Sequence, residues 1–405
     1  MKKIYVLLLV VLCLTFAGCG SGGQEPAPGP GAEVSGAVSR ENLQFAPAGM
    51  GKNFFGDFQA DGLYCSSNGL LSYYDLESGS SAILCPQAGC SHSGESCPAY
   101  LDGAQEMAIY QGTVYTMTES EDMQTLTVAR CPLGQTGRTE MGRITASEGA
   151  AYLSSNSASV SHGNIFLTVA ERDDENQDRY ALWWINGETG ELTKLEAGRS
   201  GEYIVFCGAS ADVAAVKFDT YSGQPPKEED YEEYEDYIAA WDAFEKAHGL
   251  QELRLYDLHS GDYTVLADSL ADGYISPTEY GGCIQDDLLL YQLNKSLWTY
   301  DLATGENTYR LTQADLVNYS FEDGKILTIT RDANKVLDCY ITPLGGEPAE
   351  LAGAMGEDCI RFGSAYETPQ YFVGLFDGQR GYYKISKADF FAGRYDNVTL
   401  VAAWD

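Results

Sequence analysis

Basic residues are scarce in this chain of 405 residues, which contains 25 Lys and Arg against 59 Asp and Glu. The formal net charge is −34 at pH 7, and there are only four histidines. Nucleic acids and anionic lipid surfaces are bound through patches of Lys and Arg. The composition therefore argues against a nucleic-acid partner and against membrane binding through surface charge.

The common catalytic motifs are missing as well. The sequence has no H-E-x-x-H zinc pair, no G-x-S-x-G elbow, no phosphate-binding loop and no dinucleotide glycine fingerprint. A pair of acids for glycoside hydrolysis cannot be selected from 59 carboxylates. We therefore expect a binding protein rather than an enzyme, and a hydrolase of carbohydrate or peptide is the alternative.

Long apolar runs are absent beyond the N-terminus. After Met1-Lys2-Lys3, the apolar run from Ile4 to Phe16 has thirteen residues, fewer than the ~20 that span a bilayer and typical of a secretory signal. Phe16-Ala17-Gly18-Cys19 resembles a bacterial lipobox, in which Leu is usual in place of Phe16. The resemblance implies that residues 1–18 are a lipoprotein signal peptide and that Cys19 is acylated, so we expect an exported protein anchored by lipid outside the cytoplasm.

Residues 19–42 are rich in Gly, Pro, Ala and Ser and have no hydrophobic periodicity. We predict a flexible linker whose mean reach is about 27 Å, from roughly 5–6 Å × √n. The folded body is expected to cover residues 43–405. We expect this body to be monomeric.

A turn phrase recurs in the folded body, as Tyr74–Gly79, Tyr256–Gly261 and Tyr300–Gly305. In each copy Asp starts a hairpin turn and Gly takes the position that needs a positive φ. These copies and weaker ones fit a repeat of about 40–50 residues with four strands, which is typical of a β-propeller blade. We predict an all-β fold, a seven-bladed β-propeller, with six or eight blades as alternatives. A pair of two-sheet β-sandwiches is the alternative fold. Residues 43–58 are expected to close the ring by adding a strand to the last blade, because an open ring would expose sheet edges.

One acidic insert, residues 225–249, interrupts the repeat and predicts an amphipathic helix that docks on the propeller or binds a partner. Blade topology puts this insert, the acidic loop of residues 171–178 and the cysteine-rich connection on the same face. We expect this acidic face to suit cations, cationic peptides or a basic partner, and its ligand to be a protein, a peptide or a glycan. Its predicted residues are Glu171, Asp173, Asp174, Glu175, Asp178, Glu228, Glu229, Asp230, Glu232 and Glu233.

A cysteine- and histidine-rich loop reads C-x4-C-x-H-x4-C, with Cys85, Cys90, His92 and Cys97. Three thiols and an imidazole can form a tetrahedral zinc site, so zinc is the one candidate cofactor. Export favours a disulfide instead, and a catalytic or redox-sensing thiol is a third alternative. A metal-binding or redox-sensing role for this loop is thus an alternative function.

The lipobox, the Tyr-Asp-Leu hairpins and the cysteine loop together resemble bacterial β-propeller lipoproteins of Firmicutes-type genomes, in the group of TolB-like and YWTD-like propellers. The resemblance covers most of the chain. It implies a propeller fold and membrane anchoring, and it names no activity. The principal hypothesis is a lipid-anchored interaction module.

Overall fold

Short strands joined by tight turns make up most of the structure. It is a computed structural model, which describes residues 42–44, 46–47, 58–59, 62–67, 69–101, 103–172, 178–199, 202–227, 230–231, 233–270, 275–276, 284–285, 287–313, 315–322, 324–332, 334, 336–350, 366–368, 370–375 and 381–403. The predicted signal peptide and most of the predicted linker lie outside these ranges.

Two very short strands come first, β1 (Asn42–Gln44) and β2 (Ala46–Pro47), and seven successive antiparallel sheets follow them. Blade 1 contains β3 (Phe58–Gln59), β4 (Gly62–Ser67), β5 (Leu70–Asp75) and β6 (Ser81–Ile83). Blade 2 contains β7 (Glu106–Tyr110), β8 (Thr113–Glu119), β9 (Thr125–Pro132) and β10 (Thr139–Thr145). Blade 3 contains β11 (Tyr152–Ser161), β12 (Asn164–Arg172), β13 (Asp178–Ile185) and β14 (Leu192–Ala197).

The fourth and fifth blades carry the irregular features of the ring. Blade 4 contains β15 (Tyr203–Ala209), β16 (Val213–Tyr221), β17 (Gly249–Asp257) and β18 (Tyr263–Leu270), with helix α1 (Tyr234–His248) between its second and third strands. In blade 5 the first strand is split into β19 (Ile275–Ser276) and β20 (Ile284–Gln285), which both pair with β21 (Leu288–Leu293), followed by β22 (Ser296–Asp301) and β23 (Asn307–Thr312).

The last two blades complete the seven. Blade 6 contains β24 (Leu316–Glu322), β25 (Lys325–Arg331), β26 (Leu337–Pro343) and β27 (Ala349–Glu350). Blade 7 contains β28 (Tyr366–Glu367), β29 (Tyr371–Leu375), β30 (Gly381–Ser386) and β31 (Thr399–Ala403), with the short helix α2 (Lys387–Phe391) and a 3₁₀ turn (Tyr395–Asn397) before its last strand. The prediction of a seven-bladed β-propeller with one helical insertion is confirmed. No helix of the described residues is both long enough and apolar enough to cross a bilayer.

The recurring turn phrase forms the hairpin that was predicted, between the third and fourth strands of blades 1, 4 and 5. In blade 4, the Oδ1 atom of Asp257 accepts hydrogen bonds from the backbone N–H groups of His259 and Ser260 at 2.8 and 2.9 Å. Gly261 follows with a φ of 76°, where a residue with a Cβ would be strained. Asp301 and Gly305 repeat this arrangement in blade 5.

The hydrophobic core lies between neighbouring blades. Tyr115 and Met117 of blade 2, for example, pack in one cluster with Val160 and Leu167 of blade 3. The second strands of the blades are therefore buried on both sides, and β12 reads as an almost continuous apolar run. First strands contact one another from blade to blade, β7 with β11, β11 with β15 and β15 with β20, and so they surround the central axis.

The predicted closure of the ring is wrong. Leu43 pairs with Val160 of blade 3, and Phe58 pairs with Leu63 of blade 1, so none of the strands described between residues 42 and 59 joins blade 7. The physical reason is that residues 366–403 supply all four strands of blade 7. Side chains close the ring instead: the Tyr74 hydroxyl of blade 1 donates a hydrogen bond of 2.7 Å to the Val401 carbonyl of blade 7.

Candidate metal centre and neighbouring surfaces

The cysteine loop connects β6 of blade 1 to β7 of blade 2 and is built from tight backbone turns. Cys90 N–H donates to the Gln87 carbonyl at 3.3 Å, and Cys97 N–H donates to the Gly94 carbonyl at 3.0 Å. Gly89 and Gly94 have φ values of 71° and 70°. These turns reverse the chain repeatedly, so residues that are up to twelve positions apart can point into one space.

His92 is in the left-handed region with a φ of 53°, which is uncommon for a residue with a side chain. Its backbone N–H donates to the Cys90 Sγ at 3.4 Å. Its Nδ1 lies 3.6 Å from the Cys97 Sγ. This backbone conformation thus places the imidazole beside two thiols, and strained backbone of this kind is typical of functional sites.

The four predicted ligands converge in the structure. One ligand atom from each of Cys85, Cys90, His92 and Cys97 lies within 4.8 Å of all the others. The three cysteines are present as thiols. Cys3His is a ligand set that zinc binds in structural sites, at bond lengths of about 2.0–2.3 Å. The residues therefore fit a thiophilic divalent metal ion, with small inward movements of the side chains.

The two buried thiols differ in environment from the outer pair of ligands. Cys85 and Cys97 are buried in a hydrophobic cluster with Leu71, Leu101 and Met107, whereas Cys90 and His92 are half-buried. Burial raises the pKa of the Cys85 thiol to about 11. The hydrogen bond from the His92 backbone lowers the pKa of the Cys90 thiol. A metal ion could enter from the side of Cys90 and His92 and find its innermost ligands already held by packing.

Backbone pairing and blade contacts hold the ends of the loop. Leu71 N–H donates to the Ala99 carbonyl at 2.7 Å, so residues near the end of the loop extend the sheet of blade 1. The Arg138 guanidinium of blade 2 donates to the Tyr100 carbonyl, and Pro86 lies beside Gly134. The loop therefore bridges blades 1 and 2.

These contacts modify the expectation that the cysteine loop lies on the helix-bearing face. Gly134 and Arg138 belong to the third-to-fourth connection of blade 2, which the topology places on the opposite face. The loop follows the outermost strand of blade 1 and is long enough to pack down the groove between two twisted sheets. The cysteine site is thus on the flank of the ring.

The predicted acidic residues are only partly described. Asp173, Asp174, Glu175, Glu228, Glu229 and Glu232 lie outside the described residues. Asp178 receives two hydrogen bonds from the Arg172 guanidinium, at 2.7 and 2.8 Å. The Oε2 of Glu171 accepts a hydrogen bond from the Ser147 hydroxyl at 2.8 Å. Both of these acids therefore have local partners, while Asp230 and Glu233 are exposed beside α1.

Acidic side chains also occur on the opposite face, in the hairpin turns. Glu77, Glu188 and Glu306 are exposed residues of such turns in three blades. Acidity is therefore a property of both faces among the described residues. What distinguishes one face is helix α1, on which Glu235, Asp236, Asp242 and Glu245 are all exposed.

Helix α1 lies on the surface of blade 4. None of its residues is buried, and it rests on Tyr221 through Trp241 and Phe244, with ring centroids 5.7 and 5.6 Å apart. The helix begins at Tyr234 rather than near the start of the insert, and it ends at His248, directly before the predicted terminating residue Gly249. Tyr234 and Ile238 are 60% and 39% exposed. A cavity of about 340 Å³ at the foot of α1 is lined by Thr220, Tyr221, Ser222, Ala247, His248, Gly249 and Leu250, and none of these is a carboxylate.

A scan against protein-family models finds no match, and a search of the curated proteins finds none either. Among solved structures, the chain is similar to an oligogalacturonate lyase from Vibrio parahaemolyticus, with 9% identity, a TM-score of 0.46 and coverage of 86% of this chain and 92% of that one. It is similar to the β-propeller domain of the trilobed protease from Pyrococcus furiosus, with 11% identity, a TM-score of 0.41 and coverage of 86% and 92%.

A larger similar protein is dipeptidyl peptidase 4 from Porphyromonas gingivalis, with 10% identity and a TM-score of 0.47. The match covers 85% of this chain and 52% of the peptidase, so the chain spans about half of that protein's length. Identities this low carry no information about activity, substrate or metal. The chemistry of this propeller has to be argued from its own residues.

The pair of acidic residues Glu106 and Glu119 was not predicted from the sequence. Glu106 begins the first strand of blade 2, and burial together with the negative charge of Glu119 raises the pKa of its carboxyl to about 7. Met117 is the cross-strand partner of Glu106, so Glu119 follows two residues later on the same side of the sheet. The alternation of side chains along β7 and β8 is the signal that could have paired them.

Proposed function

We propose that this protein is an exported, lipid-anchored β-propeller that binds a zinc ion through Cys85, Cys90, His92 and Cys97. The observation that carries the proposal is the convergence of four suitable ligand atoms from one loop. Nothing else among the described residues brings three thiols and an imidazole together. Lipid anchoring at Cys19 rests on the sequence of residues 1–19.

The metal would have a structural role. The described residues between Leu84 and Gln105 form no regular strand or helix, and the loop bridges two blades. A bound zinc ion would hold Cys90 and His92 against the buried Cys85 and Cys97, and its binding free energy would add to the free energy of folding. At a free zinc concentration 1,000 times the Kd, this gain is about 4 kcal/mol.

The test is metal analysis and thermal unfolding of the purified full chain. We expect about one zinc ion per chain, from a Cys3His set, and a Tm that falls when a chelator removes the metal. Cys90→Ser and His92→Ala, which change half-buried positions, should lose the metal and the chelator effect. Cys131→Ser is the matched control, because Cys131 is a buried thiol that hydrogen-bonds the Pro132 and Gln135 carbonyls at 3.2 Å, outside the cluster.

Thiol titration under native, non-reducing conditions separates the alternatives. Full metal content in Cys90→Ser and His92→Ala would contradict the proposal. So would a wild-type chain without metal in which the loop has two fewer free thiols, because that result means a disulfide. The proposal is supported if the chain binds metal and three loop thiols become titratable after chelation.

We propose as a second function that α1 binds a cationic partner, and a specific observation favours it. The helix presents exposed Tyr234 and Ile238 on an element with no buried residue, among exposed carboxylates. Aromatic faces attract Lys and Arg side chains, and nearby carboxylates add favourable charge. The partner class is therefore a basic peptide or a basic protein surface.

The probe for this second function is a fluorescent oligolysine peptide, titrated at low and at physiological salt. The double variant Glu235→Gln/Asp236→Asn should weaken binding several-fold, and Tyr234→Ser should weaken it further at both salt concentrations. The control is Glu188→Gln/Glu306→Gln, which removes the same number of charges from hairpin turns on the opposite face. An equal loss in the control would mean that general acidity, and not α1, attracts the peptide.

A further inference from the structure

The two N-terminal strands lie inside the ring. β1 pairs with β11 of blade 3, and β2 pairs with β7 of blade 2. Both partners are first strands, whose other edges are taken by β12 and β8. Because the first strands surround the axis, β1 and β2 add to their inner edges and line the central channel.

The direction of these strands follows from the pairing. We call the face that carries α1 the helix face, and the face that carries the third-to-fourth hairpins the hairpin face. Each first strand runs from the helix face to the hairpin face. Asn42 pairs with Ser161, the last residue of β11, and Pro47 pairs with Glu106, the first residue of β7. Asn42 is therefore at the hairpin end of the channel, and Pro47 is at the helix end.

Asn42, to which the preceding chain is joined, consequently lies at the hairpin face, close to the axis. Only 22 residues separate Cys19 from Asn42, and their Gly/Pro-rich composition predicts a coil whose mean reach is about 27 Å. A compact body of residues 42–405 has a radius of gyration of about 21 Å, which corresponds to a sphere about 50 Å across. A tether of that reach does not easily pass around the rim and along the side of the body.

We infer that the hairpin face is turned toward the membrane surface and that the helix face, with α1, is turned away from it. The inference rests on the lipid anchor of the proposed function. It identifies the lipid surface as the neighbour of the hairpin turns. In this orientation α1 is accessible to partners that approach from outside. Strands β1 and β2 occupy part of the channel that a hydrolase would need.

The experiment measures energy transfer from the body to a membrane. The full-length lipidated chain is reconstituted into phosphatidylcholine–phosphatidylglycerol vesicles that contain an acceptor-labelled lipid. A donor is attached through an unnatural amino acid at Ser260 or at Ala243, so that the native thiols stay unmodified. Both residues are exposed and belong to blade 4, one in a hairpin turn and the other on α1.

Transfer should be about twofold or more higher from Ser260 than from Ala243. The reason is that the nine residues of β17 separate the two positions, at roughly 3.3 Å per residue. A tether lengthened fourfold with Gly-Ser repeats doubles the mean reach and should abolish the difference. Equal or reversed transfer in the natural chain, or a difference that survives the long tether, would overturn the inference.

Vesicle flotation distinguishes this inference from the anchor itself. The natural chain should float with the vesicles, and Cys19→Ala should not. If the natural chain does not float, the anchor is wrong and the orientation falls with it. If it floats and both sites transfer equally, the anchor stands and the orientation alone is wrong.

Discussion

At the scale of single residues, Glu106 is an acid whose charge the fold disfavours. Its side chain lies on the same side of β7 as Ala108 and Tyr110, which pack between blades 2 and 3. The pKa of its carboxyl is about 7 in the folded chain, against an ordinary value of 4.5. The folded state therefore holds this proton more tightly than the unfolded state does. This contribution to the free energy of unfolding is greatest below pH 4.5 and is lost as the pH rises toward 7.

Replacing Glu106 by Gln should remove the decrease in free energy of unfolding that accompanies the rise in pH. The variant should gain up to about 3 kcal/mol in free energy of unfolding at alkaline pH, since each pKa unit corresponds to about 1.4 kcal/mol, and it should gain little in acid. Urea unfolding at acid and alkaline pH measures the difference. Glu188→Gln, in an exposed turn of blade 3, serves as the control. A gain of equal size at both pH values would mean that packing, and not the ionisation of the Glu106 carboxyl, causes the effect.

At the scale of elements, the hairpins could be predicted because their information is local. An Asp that accepts from two backbone N–H groups and a Gly with positive φ specify the turn within six residues. The Cys3His donor set is equally local, and the spacing from Cys85 to Cys97 was sufficient to find it. The helix was recognised from its aromatic spacing, although its first residue, Tyr234, lies well inside the predicted insert.

Other elements depend on parts of the chain that are distant in sequence. Leu43 pairs with Val160, more than a hundred residues away, and no local pattern distinguishes that partner from an edge in blade 7. Similarly, the contact of Arg138 with the Tyr100 carbonyl places the cysteine loop in a groove that exists only after two blades have packed. The strand partner of Leu43 and the position of the cysteine loop therefore depend on long-range pairing and packing, which no local sequence pattern shows.

At the scale of the whole molecule, the strands that the structure describes close the ring without one that blades 1 and 7 share. Leu63 and Leu76 of blade 1 pack against Val373 of blade 7, and the Tyr74 hydroxyl reaches the Val401 carbonyl across the junction. The Lys384 ammonium also donates to the Leu76 carbonyl. A few side-chain contacts thus hold blades 1 and 7 together. In rings that share a strand, a blade built from both ends of the chain has this role.

Removing the hydroxyl with Tyr74→Phe should therefore lower the free energy of unfolding by about 1 kcal/mol, the usual net value of one hydrogen bond. Tyr300→Phe is the matched control, because Tyr300 occupies the same position of the turn phrase in blade 5, away from the junction. Chemical denaturation of both variants gives the comparison. Equal effects would show that the closing hydrogen bond contributes nothing of its own.

The pairing of β1 inside the channel has a mechanical consequence. A pull on the chain before Asn42 acts along β1, whose three residues lie side by side with Ser159–Ser161. Hydrogen bonds between antiparallel strands run perpendicular to the strand direction, so such a force loads them in shear and all of them share it at once. Strand β1 therefore resists being pulled out of the channel by a force on the preceding chain, whereas a strand that is peeled from its end loses its hydrogen bonds one at a time.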